Sequence, residues 1–296
     1  MSKIDLHIHS VHSSDGEFSS EEIVLRAKRL GMEVIAIADH DTVSGIDEEI
    51  YYANKYGIKC LSACEISTVM DCGVELHVLG YNINHHDQRF IDREVRNKDI
   101  YRKSADKNMD AALALGFKYE KSAALALAND GMVTSEMIGE AILADHRNDD
   151  DKRLVEYRPG GSKSANPGFS FYKDYYAYGK PCHNPEESTL LSLKDTSEWI
   201  HSSGGFMVLA HPSHNIKHDL NLLQEIIDEG WDGIEVFSSY NNEEDTKFFY
   251  EQAKKHNLIM TVGSDFHGHI KPAIEIGSIE CIEEEVLEGL NRFIKI

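Results

Sequence analysis

A chain of 296 residues has room for one large α/β barrel or two ordinary domains. Its 41% apolar and 27% charged residues exclude a disordered chain. No apolar run approaches the roughly 20 residues of a membrane span, and the first residues lack a basic-then-apolar leader, so a cytoplasmic protein is expected. The net charge of -21 works against broad attraction to a long nucleic acid or an anionic membrane, but not against a phosphorylated substrate met by bound cations.

The five cysteines form no C-x-x-C pair and are odd in number, which fits reduced thiols. The chain opens on Ile4-Asp5-Leu6-His7-Ile8-His9, an alternation that reads as a strand with both imidazoles on one face. Taken alone, His-x-His fits a metal-ligand pair and a packed strand equally well. Ser19 to Glu22 form a capping pattern for a helix closed by Gly31, and 33–38 read as a buried strand delivering Asp39-His40-Asp41 at its end. After a helix over 43–56, a strand over 59–66 carries Glu65 near its end, and a further strand over 74–81 holds His77.

From about 84 to 180 the rhythm changes. Helices are expected over 87–116, 121–129 and 134–145, loops at 159–162 and 166–168, and a short aromatic segment at 169–176. This region reads as a helical insertion or lid, its aromatics chiefly packing residues. Strand–helix alternation resumes with a helix at 190–203 and a strand ending in Ala210-His211-Pro212. Helix 219–229, strand 233–237, helix 243–256 and a strand ending in Gly263-Ser264-Asp265-Phe266-His267 follow, then a short strand near 274–278 and a helix over 283–293.

Repeated strand–helix–strand order with ligand-type residues near strand ends is the mark of a parallel α/β barrel or open sheet with its site at the C-terminal face. Gathered from those positions are His7, His9, Asp15, His40, Glu65, His77, His211, Asp265 and His267. Nine such ligands exceed the needs of one tetrahedral ion and suit two or three divalent ions, with a carboxylate bridging a pair. Imidazole and carboxylate without thiolate suit Mn, Zn or Fe.

Asp5-Leu6-His7-Ile8-His9-Ser10, Ser14-Asp15-Gly16, Asp39-His40-Asp41-Thr42, Glu65-Ile66-Ser67, His77-Val78-Leu79-Gly80-Tyr81, Ala210-His211-Pro212 and Gly263-Ser264-Asp265-Phe266-His267 resemble, in order, the motifs of the PHP (polymerase and histidinol phosphatase) domain. The resemblance implies a distorted (β/α)7 TIM-like barrel of a metal-dependent phosphoesterase, with the barrel in 1–83 and 184–296 and a helical insertion over 84–183. It implies one metal held by His7, His9, Glu65 and Asp265, a second by Glu65, His77 and His211, and a third by Asp15, His40 and His267. The long insertion resembles that of nucleoside 3',5'-bisphosphate phosphatases. Where those enzymes carry an Arg-x-His pair, this chain has Thr134-Ser135-Glu136-Met137.

The expected reaction is hydrolysis of a small phosphorylated metabolite, a nucleotide among the candidates, by metal-activated hydroxide. Asp41, His211 and His267 are candidates for catalytic roles, with Asp41 or Asp39 as proton donor or orienter of His40. Arg158, Lys163, Lys180 and His183 are candidate substrate contacts. Alternatives are cyclic-phosphate or phosphodiester hydrolysis, including short oligoribonucleotides, and a non-catalytic metal-stabilised module. Degenerate modules lose ligands, whereas every ligand position here is filled.

Overall fold

A computed structural model describes residues 2–13, 15–128, 132–177, 179–184 and 189–295. Ser14 of one motif and Asn129, the last residue of an expected helix, lie outside them. The chain divides into two compact units, Met1–Glu94 with Leu190–Ile296, and Val95–Thr189. The sequence reading places these divisions at 83/84 and 183/184.

The first unit is built on eight strands: β1 (Ile4–Ile8), β2 (Val34–Ile37), β3 (Lys59–Val69), β4 (Glu75–Tyr81), β5 (Leu191–Ser192), β6 (Phe206–Leu209), β7 (Gly233–Ser238) and β8 (Ile259–Gly263). They run in the order β1-β2-β3-β4-β6-β7-β8, with β5 paired to β3 off this path. The sheet curls until β8 returns to β1: His9 N–H donates to Phe266 O at 2.9 Å and Asp265 N–H to His7 O at 2.8 Å. The fold is therefore the expected seven-stranded barrel. Strands β1, β2, β6, β7 and β8 are buried throughout and the core is aliphatic, with Leu6, Ala36, Val78, Val208, Val236 and Val262 at no more than 1% exposure.

Strand β4 departs from expectation, pairing antiparallel with both β3 and β6. The cause is its connection. Only residues 70–74 separate β3 from β4, and a parallel pair needs a crossover of a dozen or more. Instead Gly73 adopts a left-handed conformation (φ 85°) and its N–H closes a turn on Met70 O. Reversal brings His77, near the start of β4, beside Ser67 at the far end of β3.

Helix α1 (Ser20–Leu30) carries the expected capping box, with Ser19 and Glu22 exchanging bonds, and ends at left-handed Gly31. It packs with α2 (Ile46–Tyr56) over Ile8, Ile35 and Ile37. The strand expected near 274–278 is absent, because Gly277 (φ 69°) turns the chain and gives its N–H to Asp5 Oδ2 at 2.8 Å. Among the described residues no helix is long and apolar enough to cross a membrane. All five cysteines are free thiols.

Helix α3 (Gln88–Ala114) begins in the first unit and continues in the second, followed by α4 (Lys121–Leu127), α5 (Ser135–Ala144) and α6 (Pro167–Phe171). The expected loop at 166–168 instead starts α6. Asn166 caps it by accepting from Phe169 N–H, and Pro167 sits in the first turn, where its missing N–H costs nothing. The aromatic segment is packing material: Phe171 is fully buried, 4.6 Å from the Tyr175 ring and 5.5 Å from Phe117. The remaining helices α7 (Leu193–Ser202), α8 (Pro212–Asn215), α9 (Leu220–Asp228), α10 (Glu243–His256) and α11 (Glu283–Leu290) belong to the first unit.

Candidate metal centre

Glu65 is the hub of the barrel's C-terminal mouth. Fully buried near the middle of β3, it places Oε2 3.2 Å from His7 Nε2, 3.3 Å from His9 Nε2 and 3.0 Å from His40 Nδ1. Its Oε1 lies 3.1 Å from both His77 Nδ1 and His211 Nε2. A second carboxylate, Asp265, follows β8 and sets Oδ1 3.1 Å from His9 Nε2, 3.5 Å from His7 Nε2 and 3.3 Å from His267 Nδ1. Asp15 closes the group, with Oδ2 3.2 Å from His267 Nε2 and 3.7 Å from His40 Nε2. All nine residues gathered from strand ends are thus brought together.

Eight of the nine supply donor atoms to three overlapping clusters: His7, His9 and Asp265; His40, Glu65 and His77; and His9, Asp15, His40 and His267, while His211 stands outside them on Glu65 Oε1. His40 thus joins the middle cluster as well as the last.

Most of these contacts are short without being hydrogen bonds, the His211 Nε2–Glu65 Oε1 pair excepted. His7 Nε2, His9 Nε2, His77 Nδ1, Glu65 Oε2 and Asp265 Oδ1 are buried with no hydrogen-bond partner. Leaving such atoms unpaired costs roughly 1–3 kcal/mol each, more when charged. Donors bonded at about 2.1 Å to one ion stand about 3.0–3.4 Å apart, so these separations are what a shared cation imposes. The donor set fits divalent metal.

The outward nitrogens are already committed. His7 Nδ1 pairs with Glu235 Oε1 at 2.9 Å, His9 Nδ1 with Ser13 Oγ at 3.3 Å and His267 Nδ1 with Asp265 O at 2.9 Å. Each fixes the tautomer that turns Nε2 inward. Burial opposes charge on Glu65, yet His7, His77 and His40 outweigh it and hold the carboxyl well below its ordinary range. Asp265 is lowered likewise, by Lys271, His7 and His267 against burial. Burial also pushes His40 down to about 4, whereas Asp265 and Glu65 overcome it at His9 and raise that group to about 9. Three side chains here lie on left-handed backbone, Asp41 (φ 54°), His211 (φ 26°) and Asp265 (φ 56°), strain of the kind that collects at working sites.

Asp41 does not turn to His40. Its Oδ1 accepts from Ser67 N–H at 2.8 Å and from the buried Arg93, while Asp39 holds Ser10 through N–H and Oγ, both at 2.6 Å. The candidate substrate contacts lie in the second unit, among its own acids. Arg158 stands 3.3 Å from Asp149, Lys163 bridges Glu156 and Asp174 at 3.0 and 2.7 Å, Lys180 is exposed, and His183 is half-buried.

Glu235 is absent from the sequence reading. Fully buried in β7, it accepts from His211 N–H at 2.7 Å through Oε2 while Oε1 orients His7. Its signal was a lone carboxylate inside the apolar strand Ile234-Glu235-Val236, a placement that needs a partner. Asp5 is a second omission: Oδ1 accepts from Ser264 N–H at 3.0 Å and Oδ2 from Gly277 N–H, tying β1 to the loop that carries Asp265.

The sequence profile of the PHP domain matches residues 5–295. The chain belongs to the PHP domain family. Among PHP relatives, a 5'-3' exoribonuclease of Haemophilus influenzae is 32% identical over 268 residues, 90% of each chain. A 3',5'-nucleoside bisphosphate phosphatase of Chromobacterium violaceum is 28% identical over 290 residues, 95% of this chain and 92% of that one. An amidohydrolase structure from Chromobacterium violaceum, holding sulfate and no metal, superposes with a TM-score of 0.76 at 23% identity over 97% of both chains, and shows the same fold. This PHP protein is a hydrolase of phosphoester bonds.

Proposed function

We propose that this PHP protein hydrolyses a small phosphomonoester at a centre of two or three divalent ions. The observation that carries the reading is Glu65 with five imidazoles at 3.0–3.3 Å, among which His7 Nε2, His9 Nε2, His77 Nδ1 and Glu65 Oε2 are buried and unpaired. His7, His9, Glu65 and Asp265 would hold one ion, Glu65, His77 and His211 a second, and Asp15, His40 and His267 a third. Mn, Zn or Fe suits these donors. Divalent ions bound there supply Lewis acidity for phosphoryl oxygens and water acidified from 15.7 towards about 7.

The protein's part is positioning. Glu65 divides its two oxygens between neighbouring clusters, which ties them to one rigid strand. Glu235 keeps His7 Nε2 inward and fixes the His211 backbone. Burial lowers His211 and His267, which favours the neutral imidazole, the form that ligates or accepts a proton. Asp41, locked by Arg93 and Ser67, braces the ends of β2 and β3 next to His40.

A second reading, hydrolysis of phosphodiesters in short oligoribonucleotides, is favoured by the 32% identity to the Haemophilus influenzae exoribonuclease. The charge of -21 argues against long nucleic acids under either reading. Steady-state assays on a nucleoside 3',5'-bisphosphate, a cyclic phosphate and a dinucleotide separate them. The expected result is the highest kcat/KM on the bisphosphate. Preference for the dinucleotide supports the second reading, and inactivity on all three with metal supplied rejects both.

A further inference from the structure

Lys271 has no place in the ligand set, yet it reaches the centre. Its side chain is 12% exposed, and Nζ contacts Asp265 Oδ2 and donates to Tyr240 Oη at 2.8 Å. The Tyr240 ring in turn lies 5.1 Å from His211 and 5.2 Å from His214. Lys271 and Tyr240 therefore form one strip running from Asp265 to His211, along the edge of the centre.

The division of labour at Asp265 gives this strip its meaning. Oδ1 faces His7, His9 and His267, while Oδ2 faces Lys271. An ammonium has three donors and a phenol one. Among the described residues Lys271 spends two of its three on Asp265 and Tyr240, and the Tyr240 hydroxyl is hydrogen-bonded to Asp265 as well. One ammonium donor thus remains uncommitted at a mostly buried position beside the candidate ligands. Arg158 and Lys163, by contrast, are engaged by acids of their own unit.

We propose that Lys271, steadied by Tyr240, is an anion contact of the centre and takes a non-bridging oxygen of the substrate's phosphoryl group. The proposal rests on the phosphoesterase reading above and assigns the phosphate contact to the barrel itself. Charge and hydrogen bonding both favour this: a desolvated ammonium strengthens any bond to phosphate oxygen, and the phenol, bonded to both Lys271 and Asp265, fixes where that ammonium stands.

The test uses inorganic phosphate as the probe, titrated calorimetrically into metal-loaded protein, with metal content measured on the same samples. K271M should weaken phosphate binding roughly 10–100-fold, the size of one lost charge-assisted bond, with metal content equal to wild type. K271R should recover part of that loss. Y240F, which keeps the charge and the ring, should cost a few-fold, and in turnover both losses should fall on KM at least as much as on kcat.

Unchanged phosphate affinity in K271M overturns the proposal. So does a K271M protein whose phosphate affinity falls only in step with lost metal, since Lys271 would then merely position Asp265. If K271M does not fold, Y240F and K271R decide, and wild-type affinity in both overturns it. A wild type that takes up no divalent ion removes the phosphoesterase reading, whereas a metal-loaded wild type indifferent to these substitutions removes this proposal alone.

Discussion

Glu65→Gln is expected to abolish turnover while leaving the barrel folded. The carboxylate stands within 3.0–3.3 Å of five imidazoles, so its two oxygens are common to the clusters around it. Glutamine keeps the volume but replaces one oxygen by an NH2 group, which cannot ligate and points protons at nitrogens that must present lone pairs. The charge that attracts divalent ions is lost at the same step. A bound ion contributes several kcal/mol of transition-state stabilisation, and each 1.36 kcal/mol is tenfold, so the rate should fall by on the order of 10³ or more. His9→Ala and Asp265→Ala should behave alike, because His9 is shared by two clusters and Asp265 is the one carboxylate of the cluster with His7 and His9. Initial rates at saturating metal, with far-UV circular dichroism as the folding control, measure this. Activity within tenfold of wild type in folded Glu65→Gln would contradict the assigned hub.

The second large effect is expected at a residue with no side chain. A Cβ on Gly263 would stand 2.2 Å from Glu235 Oε1 and 2.3 Å from His7 Cβ, far inside any contact distance. Neither neighbour can yield cheaply. His7 belongs to buried β1, and Glu235 is held by His7 Nδ1 on one oxygen and His211 N–H on the other. Gly263→Ala should therefore cost about 1–3 kcal/mol of stability by overpacking. It should also weaken metal binding about 10–100-fold by turning His7 away from its inward tautomer. Gly31→Ala is the control: its Cβ would meet nothing within 4 Å, and left-handed backbone alone costs about 1–2 kcal/mol, with metal affinity unchanged. Urea unfolding and metal titration of the two variants check both parts. Wild-type metal affinity in Gly263→Ala would show that Glu235 and His7 tolerate displacement.

How far the centre was readable from the chain follows from the physics of each residue. His7, His9, His40, His211 and Asp265 stand at or near the ends of apolar strands and Glu65 inside one, so their polarity is conspicuous against their neighbours and the barrel rhythm implies that they meet. His77 lies with the others, but not for the reason its strand position suggests. It reaches the mouth because β4 runs antiparallel, which the five-residue link at 70–74 already required. Glu235 was hidden because its role is to orient other ligands, and no spacing rule marks such a residue. Lys271 was hidden because a lysine in a polar turn looks solvated until the fold buries it against Asp265. The cations drawn from the insertion, Arg158 and Lys163, illustrate the converse. A charge in a loop carries no sign of whether its partner is a substrate or the nearest acid, and here the acids Asp149, Glu156 and Asp174 stand beside them.

The most direct test of the account is the metal content of the wild-type protein, measured by inductively coupled plasma mass spectrometry after gel filtration. The account predicts at least two divalent ions per chain, lost to a strong chelator together with phosphoester hydrolysis and restored with it on adding Mn, Zn or Fe. Fewer than two tightly bound ions, with activity and thermal stability both indifferent to chelation, would contradict it.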